Sequence, residues 1–446
     1  MNDLLANDKP NLERRIKKHI HGKPQVLLLT PSPGFSKTLE SEILQLLPQT
    51  IPAPTLRIVE GQIWLHDAPL SLAYEILQKS HALREVELLV AKGRTSHEAS
   101  LLKICEGVEW NMYLNPQIPL RITVDSVASH QFHERGIKET LLKHFANLNF
   151  KLFNNDNTES GIIQVLSLQL RRDVASFFLS LGGPQINHRA YKKSMNHKAP
   201  LKEDLAACAI IAHINAIESQ KTKGISSIYV PFAGSGTLGY ECVALILNLA
   251  PAQFQVPLNL SISPFFQQKT YDHLKKLSLL KALKEFSISP QKINLQFLEQ
   301  NTDLCEQILQ TTQLFKTTLP VESIDSLQIT TEHQDFFEHP FPYLEQHLFM
   351  PLNPPYGIRL EATSSSESRP FKTESAANYY VKIAKKIDSE IKKSRNNRHI
   401  SGFILCPDEE SWKSFQQHMT LAQFKTQHFS QGGLDIRLLH FWSRAL

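Results

Sequence analysis

The sequence predicts an α/β protein: an α+β region comes first, then a domain of alternating strands and helices of the nucleotide-binding kind. Three observations lead there. From Gln25 to about Leu181, short apolar runs and amphipathic stretches alternate, closing on two strand-like runs joined by a tight turn. From Ile225 the first apolar run passes directly into a glycine-rich turn, Pro231-Phe232-Ala233-Gly234-Ser235-Gly236-Thr237, that opens a helix. A later buried-strand run, His347 to Leu352, ends in Asn353-Pro354-Pro355-Tyr356-Gly357. With 446 residues the chain exceeds one ordinary core, and two or three domains are expected.

Composition sets the outer limits. At 41% hydrophobic and 20% charged the chain is globular in character. Its 48 Lys+Arg against 43 Asp+Glu leave +5, a mild bias toward an anionic partner. The five cysteines are far apart and form no Cys-x-x-Cys pair, which argues against a zinc site or a disulfide framework and suits a reducing cytoplasm. The first residues lack an apolar signal core, and no run approaches a membrane span, so a soluble, unexported protein is expected.

Taken in order, residues 1–23 form a basic arm with Arg14, Arg15, Lys17, Lys18 and Lys23, expected to be a solvated or frayed helix. Gln25 to Thr30 is a predicted strand, and Leu39, Ile43, Leu46 and Leu47 recur at helical spacing. Arg57 to Leu65 reads as a second strand, Leu70 to Leu77 as a helix and Glu85 to Ala91 as a strand. Beyond residue 96, Leu101, Leu102 and Cys105 share a helical face, Pro119 to Val124 is a strand, and Ile137, Leu141, Leu142 and Phe145 mark a helix. His130 and His133 precede that helix without a third ligand nearby, so a polar turn is expected rather than a metal site, with phosphate contact as the functional variant. Gly161 to Leu170 and Val174 to Leu181 then form a hairpin about Arg171-Arg172-Asp173.

In the second half, Ala199-Pro200-Leu201-Lys202-Glu203-Asp204 starts a helix, with Glu203 and Asp204 complementing its dipole. The glycine turn lets backbone approach a ligand closely, and the lysine of a phosphate-binding loop is missing, since Leu238 and Gly239 follow Thr237. A Lys- and Leu-rich helix runs from His273 to Phe286, with a solvated lysine face. Asn294 to Leu298 is a strand ending at Glu299, where a carboxylate is placed to accept from ribose hydroxyls. Leu327 to Glu332 is another strand, followed by Asp335 in Gln334-Asp335-Phe336. Tyr380, Ile383, Ile387 and Ile391 form the apolar stripe of a helix whose other face carries Lys382, Lys385, Lys386, Lys392 and Lys393. Gly402 to Cys406, Phe424 to Phe429 and Ile436 to Trp442 complete the sheet.

The stretch from Asn353 to Gly357 has the chemistry of an amine clamp. Two prolines fix φ and remove two donors, leaving rigidly held carbonyl acceptors. Asn353 adds another acceptor, and Tyr356 offers a flat face on which a base stacks, a contact worth roughly 1–3 kcal/mol. Such a constellation suits the exocyclic amine of an extruded base.

These residues resemble the Asn-Pro-Pro-Tyr motif of class I S-adenosylmethionine (SAM)-dependent methyltransferases that modify amino groups, and Arg359-Leu360 extends the likeness. The glycine turn resembles the Asp-Pro-Phe-Cys-Gly-Ser-Gly-Thr SAM motif, and Glu241 matches a glutamate of the helix after it. The passage from the Arg171 hairpin through Asn187 to Lys192 into Ala199-Pro200-Leu201-Lys202-Glu203 looks like the junction of THUMP-domain RNA methyltransferases. Asp335 resembles the carboxylate that reads the adenine amino group. Three departures stand out: Val230 replaces the usual aspartate, Ala233 a common cysteine, and Phe297-Leu298-Glu299-Gln300-Asn301 the family's Gly-x-Asp-x-Asp. Loss of the Val230-position carboxylate is expected to weaken SAM binding by about 1.5–3 kcal/mol unless compensated.

The resemblance implies a Rossmann-like methyltransferase domain over 187–446, preceded by a ferredoxin-like region over 24–95 and a THUMP RNA-binding domain over 96–186. It implies SAM as cofactor, held by Lys202, Phe232, Gly234, Ser235, Gly236, Thr237, Glu299 and Asp335, and Asn353, Pro354 and Tyr356 as catalytic residues, with no metal. The expected reaction is methylation of a guanine N2 amine, in 23S rRNA by the bacterial large-subunit resemblance, and the expected partner is RNA. Alternatives are a tRNA guanine-N2 or adenine-N6 methyltransferase, and an RNA-binding or ribosome-assembly protein with a degenerate methyltransferase domain.

Overall fold

The computed structural model describes residues 10–47, 53–131, 133–153, 162–183, 186–189, 191–192, 201–217, 225–251, 258–288, 292–320, 324–342, 347–355, 375–393, 399–431 and 434–443, with backbone alone at 280–288, 430–431 and 434–435. The chain divides into two compact units. The first comprises Met1–Pro31, Glu40–His188 and Gln255–Leu277, the second Ser32–Leu39, Arg189–Phe254 and Ser278–Leu446.

Residues 10–21 are helical and end in a π turn at Lys17–His21. The first unit is then built on strands β1 (Gln25–Pro31), β2 (Thr55–Val59), β3 (Gln62–Ala68), β4 (Leu83–Arg94), β5 (Leu120–Val127), β6 (Gln164–Arg171) and β7 (Val174–Ser180). They make one seven-stranded sheet, ordered β2-β3-β1-β4-β7-β6-β5. Neighbours are antiparallel except β5 and β6. The regions 24–95 and 96–186 therefore contribute to a single sheet. Its helices are α2 (Leu70–Lys79), α3 (Glu98–Glu106) and α4 (Glu134–Asn147), while α1 (Ser36–Leu46) begins within the 32–39 segment of the second unit.

The run Arg57 to Leu65, expected as one strand, is a hairpin of β2 and β3. Glu60 and Gly61 both take left-handed φ, 49° and 82°, so two residues reverse the chain while apolar alternation continues across them. Residues 258–277 follow the glycine turn in sequence yet group with the first unit. Tyr74 of α2 packs on Phe266 at 5.8 Å and Tyr271 at 6.1 Å, and Leu260 N–H donates to the Leu181 carbonyl at 2.8 Å.

The second unit holds α5 (Glu203–Ile217), β8 (Ser227–Pro231), α6 (Thr237–Ile246), β9 (Ile293–Glu299), α8 (Thr302–Thr318), β10 (Leu327–His333), β11 (His347–Leu352), α9 (Ala376–Lys393), β12 (His399–Cys406), α10 (Glu409–His418), β13 (Ala422–Gln431) and β14 (Leu434–Ser443); α7 (Gln268–Ile288) spans the boundary in sequence. Its sheet runs β10-β9-β8-β11-β12-β14-β13. The first five strands are parallel, and β14 and β13 return antiparallel. All of β8 and β11 is buried, as central strands covered on both faces must be. Helix α10 was not expected from the sequence; Asp408 caps it, accepting from Ser411 N–H at 2.7 Å, and Phe415 anchors it in the core. No helix among the described residues is long and apolar enough to cross a membrane.

Candidate active site

The strand order locates the crevice. From β8 the chain builds outward through β9 to β10, then crosses back to lay β11 on the other side of β8. Connections after β8 and β11 therefore leave on opposite sides, and in parallel sheets ligands bind beside the carboxyl ends at such a switch point. Since β8 and β11 are parallel neighbours, the glycine turn and Asn353-Pro354-Pro355 leave the same edge of the sheet.

At the end of β8, Phe232 and Gly234 take φ of 59° and 56°, and Gly236 takes 76° as it enters α6. A Cβ on Gly239 would lie 2.3 Å from the Phe297 ring, so this glycine seats α6 on β9. A Cβ on Gly234 would meet nothing within 4 Å. One side of the turn is packed and the other is open, the form a ligand cradle takes.

Glu299 ties this turn to the end of β9. Its Oε2 accepts from Gly234 N–H at 2.8 Å, and its Oε1 from the N–H groups of Gln300 at 3.0 Å and Asn301 at 3.1 Å. The turn and the carboxylate thus form one rigid piece. Asp335, beyond β10, accepts from Phe337 N–H at 2.7 Å, and its carbonyl accepts from His339 N–H at 3.0 Å. Here the aspartate shapes its own turn.

That turn is pinned from below. Lys386 of α9, expected on a solvated face, donates to the carbonyls of Phe337 at 2.9 Å and His339 at 2.7 Å and lies 5.3 Å from the Phe336 ring centroid. Burial lowers its pKa. Helical periodicity distinguishes faces but does not reveal that a long side chain reaches back to a neighbouring loop. Phe336 packs against Phe232 with ring centroids 5.0 Å apart and the planes tilted by 55°, and Phe232 approaches Tyr379 at 6.1 Å, linking the Asp335 turn to the glycine turn through aromatic contact.

Behind the glycine turn lies a buried polar network. Lys192 Nζ donates to Glu203 Oε1 at 2.7 Å and Thr237 Oγ1 at 2.9 Å, and Ser235 and Thr237 hydroxyls are 2.9 Å apart. Arg189 Nε donates to Glu241 Oε1 at 3.0 Å, and the Tyr191 hydroxyl reaches the same oxygen at 3.3 Å. Phe232, Gly234, Ser235, Gly236, Thr237, Glu299 and Asp335 thus stand at or just beyond the carboxyl ends of β8, β9 and β10, whereas the Lys202 side chain is exposed and its neighbour Glu203 is buried. Val230 is fully buried and paired with Phe297 across the ladder.

Asn353 is partly buried and Pro354 buried, directly beyond β11; Tyr356, Gly357 and Arg359 lie outside the described residues. All five cysteines are buried and free of disulfides, and Cys305 Sγ donates to the Glu299 carbonyl at 3.4 Å. Among the described residues no group of three or more His, Cys, Asp or Glu side chains is arranged to hold a metal. The sequence reading placed Lys192 and Lys386 but not the partners they reach. The first stood in the noted Asn187 to Lys192 stretch, but no spacing rule links it to Glu203, eleven residues on.

No family model matches the chain. It is 23% identical over 217 residues to the ribosomal RNA large subunit methyltransferase K/L of Legionella pneumophila, covering 48% of this chain and 30% of that one. With the protein of the same name from Pseudoalteromonas atlantica it shares 28% identity over 233 residues, 50% of this chain and 31% of that one. The matches span about a third of these relatives' length. Among solved structures, a predicted N6-adenine-specific DNA methylase from Listeria monocytogenes superposes with a TM-score of 0.71 at 15% identity, over 96% of this chain and 98% of that one. SMU.472, a putative methyltransferase complexed with SAH, gives 0.68 at 15% over 95% and 99%, and TrmN from Thermus thermophilus 0.60 at 12% over 94% and 100%. The fold is shared across nearly the whole chain.

Proposed function

We propose that this protein is a SAM-dependent RNA methyltransferase acting on the exocyclic N2 amine of a guanine, in large-subunit rRNA. One observation carries the reading: the glycine turn with its Glu299 brace and the Asn353-Pro354-Pro355 clamp occupy the carboxyl ends of the two strands that flank the switch point. The ribosomal RNA methyltransferases to which the chain is similar support the substrate class.

The residues present fit a nucleoside-sulfonium cofactor. Open space beside Gly234 admits it, Glu299 and Asp335 offer carboxylates at successive strand ends, and Phe232 stands beside them. When bound, SAM supplies the methyl group. Asn353 and the Pro354 carbonyl accept the amine protons and hold its lone pair along the line of attack, while Tyr356 stacks the extruded base. Transfer of that methyl group would join it to the amine nitrogen and leave the electron pair of the broken bond on sulfur, and the proton shed by the amine would pass to solvent past the Asn353 and Pro354 acceptors. No covalent enzyme intermediate is needed, since the amine is itself the nucleophile. Of the preceding residues, 24–95 are proposed as a ferredoxin-like region and 96–186 as the THUMP module that grips RNA; the compartment that fits is the cytoplasm.

Removing the gene product and mapping modified guanines and adenines of rRNA and tRNA by mass spectrometry tests the reading. One N2-methylguanine is expected to vanish and to return with wild type but not with Tyr356→Ala. An unchanged modification map, with Tyr356→Ala complementing any assembly defect as well as wild type, would replace the enzyme reading with that of an RNA-binding assembly protein.

A further inference from the structure

We infer that Lys192 and Glu203 are the residues that read the amino-acid end of the cofactor, Lys192 taking its carboxylate and Glu203 its ammonium. This rests on the SAM reading above. The two side chains are 13% and 8% exposed, and they pair with each other at 2.7 Å, so two full charges are kept largely out of water beside the glycine turn. Taking charges out of water is costly, and a pair of this kind gives little net stability.

Its placement needs another explanation. Lys192 Nζ bonds to Glu203, the first residue of α5, and to Thr237, the first residue of α6. A cation there lies against the positive ends of two helices, where an anion is favoured and an ammonium opposed. Glu203 offsets one of those opposing influences. A ligand carboxylate at Lys192 offsets the others, and it releases Glu203 to accept from the ligand's ammonium. An α-amino acid end carries both charges on one carbon, so it exchanges for the internal pair without leaving either buried group unmatched.

The pair also accounts for Val230. This position, fully buried in β8, has no carboxylate to offer the ammonium. Glu203 supplies one from the facing helix, on the same side of the turn as the Thr237 and Ser235 hydroxyls. Lys202, next in sequence before Glu203, is exposed.

Calorimetry on the full chain with three ligands tests the assignment. S-adenosylhomocysteine carries amine and carboxylate, S-adenosyl-3-thiopropylamine keeps only the amine, and 5′-methylthioadenosine has neither. Lys192→Met is expected to weaken S-adenosylhomocysteine by about 10- to 100-fold without weakening the other two. Glu203→Gln is expected to weaken both amine-bearing ligands and spare 5′-methylthioadenosine. Should Lys192→Met fail to fold, Lys192→Met/Glu203→Gln removes both charges together and is expected to show the S-adenosylhomocysteine loss. Wild-type affinity of Lys192→Met for S-adenosylhomocysteine would overturn the assignment alone, as would an equal loss for all three ligands, which is the mark of a purely structural role. Absence of binding by the wild type to all three would overturn this assignment and the cofactor reading with it.

Discussion

Single residues in the second unit divide into those that hold the crevice and those that face it. Glu241 belongs to the first group: it is 1% exposed and holds Arg189, which is 2% exposed. Glu241→Ala would strand a buried guanidinium, and a loss of about 3–5 kcal/mol in unfolding free energy is expected from urea titration. The proposed function assigns Asn353 to the second group. Asn353→Ala is expected to lower turnover at least about 100-fold, because the amine is no longer aimed, while S-adenosylhomocysteine affinity by calorimetry stays within about twofold. Equal losses in both quantities would move Asn353 from the amine to the cofactor.

Elements meet at the glycine turn, where two glycines do opposite jobs. Gly239 lets α6 lie on β9, and a methyl group there would press into the Phe297 ring at 2.3 Å. Gly239→Ala is expected to cost about 1–3 kcal/mol of stability, read as a lowered melting temperature. Gly234 faces open space, and its φ of 56° costs an alanine about 1 kcal/mol. Gly234→Ala is therefore expected to melt close to wild type but to bind S-adenosylhomocysteine more weakly. A variant that loses stability and keeps its affinity would show that the open side is not the ligand side. The glycine pattern was legible in the sequence, but this division of labour was not, since it depends on what stands across from each Cα.

At the scale of the molecule, buried histidines are expected to set the acid limit of the second unit. His213 of α5 and His347 of β11 both reach Ser401 of β12, at 3.2 and 2.8 Å, and His440 of β14 stands 5.5 Å from His213. Burial holds His213 well below the usual imidazole range, with His440, His347 and His399 adding to it; burial brings His440 to about 3 and His399 to about 4. A depressed folded-state pKa contributes stability that is complete above about 6.5 and is lost as pH falls through the folded value. The slope is up to about 1.4 kcal/mol per pH unit for each of the fully buried His213 and His440. The melting temperature of the second unit is expected to fall between pH 6.5 and 4, and His440→Phe to reduce that slope; an unchanged slope would remove His440 from the acid response. In the first unit Glu85 acts in reverse, since burial and then Glu87 raise it to about 8, so its contribution is complete below about 4.5 and is lost as pH rises through 8.

The sequence by itself determined the alternation of elements, the helix start with Glu203 and Asp204 in its first turn, and the motifs at Pro231 to Thr237 and Asn353 to Pro355, because each depends on neighbours a few residues apart. It missed the reversal at Glu60-Gly61, where apolar alternation persists through the turn, and helix α10, whose Asp408 cap and Phe415 are a weak signal. Only the tertiary structure decided that β11 lies beside β8, which brings two motifs more than a hundred residues apart to one edge. It also decided that Glu203 turns inward to Lys192 while Lys202 faces water, and that Lys386 braces the Asp335 turn. Long-range pairing of charges and carbonyls is set by packing of whole elements, and local periodicity carries no record of which element will stand opposite.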